Sequence, residues 1–263
     1  MNRRNHIKKL GVLSAAPLFA NPIIGEDIKK QGVLELRRYK FSSENNRSRF
    51  HNYMKNVYIP TLNQLGIRPI GAFAPIYVYD SYAAMYLLIP FDTVKQAFQL
   101  NQQLQEDAGF KEKTKEFDDM EQTIPLYHSY TSTIMSAFSN FPGINIPEIC
   151  KTKKRRYFNL RTYKSHSHVA LQKKIDMFNT DGEIEMHKKM GYEHIFFGEA
   201  IFGDELPNMS YMHVWEDLEE YEELMHKFWN SPDFVELRNR PKYKNTTYDG
   251  FSILLQPLGY SQI

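Results

Sequence analysis

Two rhythms of apolar residues alternate along this chain, one of period two and one of helical spacing. Val33 to Phe41 reads as a strand, rich in aromatic and aliphatic residues. Ser42-Ser43-Glu44-Asn45 then offers cap residues, and Asn46 to Leu65 takes helical spacing. Phe50, Tyr53, Met54, Val57, Tyr58 and Leu62 make one apolar stripe on that helix. Pro60 is expected to kink or end it, and Gly66 to punctuate it. Ile67 to Tyr79 and Ser81 to Pro90 hold two further strands. Asp92-Thr93 caps a helix through about Leu100, and a polar, helix-favouring run carries on to Met120. Leu126 to Met135 is a β-rich closing strand, so the order is βαββαβ.

The same order returns in the second half. Leu36-Arg37-Arg38-Tyr39-Lys40 is echoed by Leu160-Arg161-Thr162-Tyr163-Lys164. Tyr157 to Tyr163 opens the second unit, and His166 to Met190 is a helical stretch that Thr180-Asp181-Gly182 can interrupt. Gly191 ends it, as Gly66 ended its counterpart. Glu193 to Phe202 and Met209 to Trp215 are strands joined by a hairpin loop, Gly203 to Asn208. Glu216 to Trp229 is an amphipathic helix, Ser231-Pro232 starts a short one to Arg240, and Thr246 to Leu255 closes the sheet. The fold class is therefore α+β, with two tandem βαββαβ units of the ferredoxin-like type. Helices cover one face of each sheet, and the cheapest cover for the other face is the partner sheet, as a barrel or sandwich. Ile195-Phe196-Phe197-Gly198 and Met212-His213-Val214-Trp215 lack clean alternation, as strands covered on both faces should. The expected division is 1-31 for an N-terminal leader or unstructured segment and 32-135 for the first, diverged repeat. A linker takes 136-155, and the second repeat 156-263.

Composition narrows the function classes. A chain of 263 residues has room for one large domain or for two of about 110 residues. A net charge of +2 gives no global field to gather nucleic acid. The basic run Lys151 to Arg156 reads as a solvated linker face. Cys150 is the single cysteine, which excludes an internal disulfide and a thiolate metal cluster. Arg3-Arg4 in a basic start, followed by the modestly apolar run Leu10 to Ile24, fits a twin-arginine-type export leader, with cleavage after Ala20 and a periplasmic destination. The alternative is a cytoplasmic protein with a basic tail. The run is too short for a membrane span.

Several short motifs, taken in order, resemble the NIPSNAP family. The second repeat carries Leu160-Arg161-Thr162-Tyr163, Gly191 after a long helix, Trp215-Glu216-Asp217 before an aromatic-rich helix, and Asn230-Ser231-Pro232-Asp233-Phe234. The first repeat departs, with Ile89-Pro90-Phe91 where the tryptophan motif would stand. The resemblance implies the dimeric α/β-barrel fold, here formed within one chain by two units packed sheet to sheet. It supplies no shared catalytic residues, and fold alone does not give function.

The residues themselves nominate a site. Arg37 and Arg161 hold equivalent strand positions, and an arginine in a half-buried strand must be paired or open onto a polar cavity. The structural reading is an ion pair, with Glu199 for Arg161. The functional reading is an anion held in the barrel. Tyr39 and Tyr163 are likewise equivalent, as pocket hydroxyls or as packing. Tyr211, His213 and Trp215 share one strand face. His213 is an acid/base or metal-ligand candidate there, or a core histidine with its ring nitrogens hydrogen-bonded. Of the other histidines, His187 and His194 flank Gly191, and His166 and His168 sit at a helix start. None has a spacing such as His-Glu-x-x-His, so the sequence nominates no metal and no cofactor. There is no Gly-x-Gly-x-x-Gly, phosphate loop or Gly-x-Ser-x-Gly elbow, which disfavours nucleotide and serine-hydrolase chemistry. The expectation is a binder of a small apolar or aromatic ligand between sheet and helices, or an interaction scaffold, open to homo-oligomerisation. Arg37, Tyr39, Tyr211, Trp215 and Glu199 would contact the ligand. The alternative is a cofactor-independent oxygenase or isomerase acting in the barrel pocket through His213, Arg161 and Tyr163.

Overall fold

The computed structural model describes residues 31–77, 84–118, 125–152 and 154–263. The leader read at the start of the chain lies outside these residues. In the first unit, β1 (Val33–Lys40) leads to α1 (Glu44–Tyr53), a π-helical turn (Met54–Tyr58) and α2 (Ile59–Gln64). Then come β2 (Gly71–Pro75), β3 (Met85–Phe91), α3 (Val94–Glu106), α4 (Ala108–Asp118) and β4 (Ser129–Ala137). A short helix, α5 (Glu148–Lys151), follows in the connecting segment. The second unit holds β5 (Tyr157–Lys164), α6 (His168–Asn179), α7 (Glu183–Lys189), β6 (Glu193–Phe202) and β7 (Asn208–Trp215). It ends with α8 (Leu218–Asn230), α9 (Pro232–Asn239) and β8 (Asp249–Pro257).

The strands close in the order β1-β3-β2-β8-β5-β7-β6-β4. Each unit contributes four neighbouring strands, and the two sheets meet at the antiparallel pairs β2–β8 and β4–β6. Closure removes the open edges that a four-stranded sheet would present. The period-two pleat then sorts side chains to two faces. Leu34, Phe73, Leu88, Met135, Phe158, Leu160, Met212, Val214 and Leu255 point into the barrel and pack together. Tyr39, Met85, Leu87 and Ile89 face the first unit's helices, and Phe197, Met209 and Tyr211 face those of the second. Each sheet shields the other's apolar face, and β7 is buried along its whole length. Among the described residues, no helix is long and apolar enough to cross a membrane.

Local departures from the sequence reading have local causes. Pro60 does not end the first helix. The turn just before it widens to π geometry, with the Ile59 amide donating to the Met54 carbonyl, which relieves the clash between a proline ring and the carbonyl four residues back. The run after β3 breaks at Asp107, whose carboxylate accepts from the Phe110 amide and starts a second helix. The stretch before Gly191 does break at the expected interruption, Thr180-Asp181-Gly182, and the φ of 98° at Gly182 suits a residue without Cβ. The basic run is a solvated face at Lys151, Thr152, Lys154 and Arg155, but its last residue and the apolar segment before it are not. Ile144, Ile146, Ile149 and Cys150 pack onto the barrel core, and the buried Arg156 donates to the Ile263 carbonyl. The C-terminal residues run along β2, where the Leu258 and Gln262 amides donate to the Ala72 and Ile70 carbonyls.

Candidate functional site

In the first unit the pleat of β1 turns Glu35, Arg37 and Tyr39 towards the helices. Arg37 grips Glu35 with two bonds, Nε to Oε1 at 2.6 Å and an Nη to Oε2 at 2.9 Å. Its other Nη donates to the hydroxyls of Tyr58 at 2.7 Å and Tyr39 at 3.3 Å. Ser132 donates to Glu35 Oε1 at 2.6 Å, so the buried carboxylate is well satisfied. Tyr58 arrives from the π turn that Pro60 accompanies. Burial acts to lower the Arg37 pKa, but Tyr58, Tyr39 and Glu35 hold it well above its ordinary value. Burial pushes both phenols upward, so Tyr39 and Tyr58 stay neutral hydroxyls near neutral pH.

Over this group lies a half-open cleft of about 500 Å³. Its buried floor is Arg37, Tyr39 and Tyr58. Phe50, Tyr53, Phe110, Tyr127 and Tyr130 give it aromatic walls, and exposed Asn101, Gln105 and Lys111 stand at its rim. A second cavity of about 340 Å³ shares Tyr53, Phe110, Thr114 and Tyr127 with it. The arrangement offers flat apolar surface for a ring and a cationic donor with two phenols for an oxygen on that ring.

The equivalent place in the second unit is built differently. Arg161 donates to the Tyr163 hydroxyl at 3.1 Å, and Tyr211 donates to the same hydroxyl at 3.0 Å. The expected ion pair with Glu199 is not formed, because Glu199 accepts from Gln172 at 2.6 Å. Arg161 has no counterpart of Glu35: the position two residues before it is Asn159, which bonds to Ser252. Lys174 adds a second cation over the rings of Tyr163 and Phe178. Glu183 of α7 lies 3.8 Å from Lys174, and burial raises its pKa against the pull of Lys174 and Arg161.

Helix α7 also seats His187 against His194 of β6 and His213 of β7. One nitrogen from each ring lies within 4.8 Å of the others, and all three residues are buried. The Nδ1 atoms of His194 and His213 share a hydrogen bond of 2.7 Å. Burial, with the neighbouring imidazoles and cations, holds His187 and His213 far below their usual pKa. Burial and then Lys188 lower His194 to about 3. Tyr192 stacks on His187 at 4.6 Å and meets Trp215 edge-on at 4.7 Å.

The residues nominated from sequence thus fall into two groups, one per unit. Arg37 and Tyr39 line the open cleft. Arg161, Tyr163, Tyr211, His213 and Trp215 do share one sheet face, but His213 is 1% exposed and enclosed by other rings. Both groups face the helices outside the barrel. Apolar side chains pack together inside the barrel, which leaves the anion reading at the two arginines and the barrel pocket of the enzyme alternative without support. The first-unit cleft lies between sheet and helices, where the leading expectation puts a ligand. Sequence reasoning missed Glu35, Tyr58 and Tyr130. Glu35 was legible, since residues two apart on a strand share a face. Tyr58 and Tyr130 come from separate elements and carry no local cue.

Comparison with known proteins follows the same division between the units. Residues 158–262 match the NIPSNAP family model. That span is the second unit, where the motifs resembling NIPSNAP stand complete. The fold of most of the chain recurs in solved structures. A monooxygenase-like protein from Fusobacterium nucleatum superposes with a TM-score of 0.57 at 9% identity, covering 88% of this chain and 94% of that one. Another from Lactobacillus acidophilus gives 0.56 at 12% identity, covering 86% and 94%. An anthrone oxidase-like protein gives 0.52 at 11% identity, covering 88% and 93%. At these identities the likeness is one of fold. No curated protein matches the chain.

Proposed function

We propose that this chain, NIPSNAP-like in its second unit, binds a small aromatic molecule bearing an oxygen substituent in the first-unit cleft. The observation that carries the reading is the floor of that cleft, where Arg37 and the Tyr39 and Tyr58 hydroxyls converge beneath aromatic walls. Glu35 neutralises Arg37, so the floor favours a phenol, ketone or ester over a bare anion. No histidine or carboxylate lines the cleft among the described residues, and burial holds the Tyr39 and Tyr58 phenols of its floor protonated. That favours binding over proton abstraction as the first role. The oxygenase or isomerase alternative has support from the names of fold neighbours described as monooxygenase-like and anthrone oxidase-like. At His213, Arg161 and Tyr163 it would require a substrate to displace the packed rings around His213. A twin-arginine-type leader would place the binding function outside the cytoplasm.

Native mass spectrometry of freshly purified protein tests the reading. A co-purified small molecule, or saturable binding from a panel of naphthols and aryl ketones, is expected in the wild type. It should be lost in Asn101→Trp, which fills the mouth from an exposed helix position without cutting into the core. A clean apo mass in every preparation together with no saturable binding would overturn the proposal. Oxygen uptake or conversion of the bound molecule would move the assignment to the enzyme alternative.

A further inference from the structure

We propose that His187, His194 and His213 form a site for one divalent transition-metal ion of the zinc class. The three rings come from three different elements, α7, β6 and β7, and converge with one nitrogen each inside a 4.8 Å envelope. A tetrahedral ion with metal–nitrogen bonds of about 2.0–2.1 Å needs nitrogens roughly 3.3–3.4 Å apart. The His194–His213 pair, at 2.7 Å, must open slightly, and the His187 ring must close in. Both movements are a fraction of a side-chain rotation.

One unpartnered atom points the same way. His187 Nδ1 is sealed from solvent and has no hydrogen-bond partner, while the His194 ring is engaged by His213 through Nδ1 and by the Ile184 backbone. Buried nitrogens normally find partners, so an orphan on a ring that converges with two others needs a reason. His187 Nε2 lies 4.0 Å from Glu183 Oε1, one helical turn away on α7. That is too long for a hydrogen bond; with an ion bound at Nδ1, a small shift of the ring would let the Nε2 proton reach this carboxylate, the relation by which carboxylates orient metal-bound histidines. Glu183 itself lies outside the converging donor set, so it would hold the ring and not ligate. Imidazole donors without thiolate or clustered carboxylates suit zinc, cobalt, nickel or copper better than magnesium or calcium. Phe178, Tyr192 and Phe228 pack on His187 and hold its ring in place, and a water would complete the tetrahedron as fourth ligand.

The test is metal analysis of intact protein expressed in zinc-supplemented medium and dialysed against a weak chelator. Native mass spectrometry and elemental analysis should find one equivalent per chain. His187→Gln and the pair His194→Gln with His213→Gln should lose it. His166→Gln with His168→Gln, at the exposed start of α6, should keep it. Glu183→Gln should weaken affinity by about 10–100-fold while leaving the stoichiometry unchanged. If the core variants do not fold, cobalt-loaded wild type decides the matter. An intense visible band of tetrahedral nitrogen-ligated cobalt supports the site, and the weak band of octahedral cobalt overturns it. Metal content no higher in wild type than in folded His187→Gln, or metal lost with His166 and His168, would equally overturn it.

Discussion

Arg37 and Arg161 show how one residue type at one repeated position can take two roles. Arg37 is locked to Glu35 in a buried pair, whereas Arg161 leans on Tyr163 alone and has no carboxylate within ion-pair distance among the described residues. Removing one partner of a buried pair strands the other charge. Arg37→Met should therefore destabilise the fold by about 3–5 kcal/mol in chemical denaturation. Arg161→Met gives up a single hydrogen bond, so its cost should stay below about 1.5 kcal/mol. Equal costs at the two positions would contradict the assignment of Glu35 as the deciding neighbour. The alternating text Leu-x-Leu-Arg already placed Glu35 and Arg37 on one face. The sequence could not say which acid, if any, would reach Arg161, because Glu183 arrives from a helix twenty-two positions on.

Among the elements, strands and long helices were the most legible. Their periods are intrinsic to the backbone, and the duplicated Leu-Arg-x-Tyr-Lys text fixed the start of each unit. The breaks were less legible. A proline inside a helix can be met by a π turn, and only tertiary packing of Tyr58 onto Arg37 makes that choice. The histidine cluster was invisible for a related reason: its members are close in space through the pairing of β6 with β7, not through a spacing along one element. The seam between the units was also beyond the sequence, yet one residue there is sharply constrained. On β6, Gly198 pairs with Ala137 of β4, and a Cβ at this glycine would stand 2.9 Å from Met135 Cβ. Met135 Cβ is fixed by its own strand and cannot swing away. Gly198→Ala should cost about 1–3 kcal/mol through overpacking. Hydrogen exchange of β4 and β6 amides should rise together, and an unchanged exchange pattern would mean that the seam is looser than its geometry.

At the scale of the molecule, two units of the same topology have diverged above the same sheet face. One keeps a cleft, and the other fills the place with α7, three imidazoles and a wall of rings. Neither sheet can stand alone, because each inner face is apolar and each outer strand loses its partner on separation. The fragment 156–263 should therefore associate with a second copy through Phe158, Leu160, Met212, Val214 and Leu255, rebuilding a barrel. Light scattering during size exclusion should return twice the fragment mass, and a folded monomer would contradict the closure argument. The functional account rests on the contrast between the two outer faces, and crystals soaked in para-iodophenol test it most directly. Anomalous scattering should place iodine between β1 and the helices of the first unit, with the phenol oxygen near Tyr58 and Arg37, and none beside Arg161. Iodine inside the barrel, or above the second sheet and absent from the first, would contradict it.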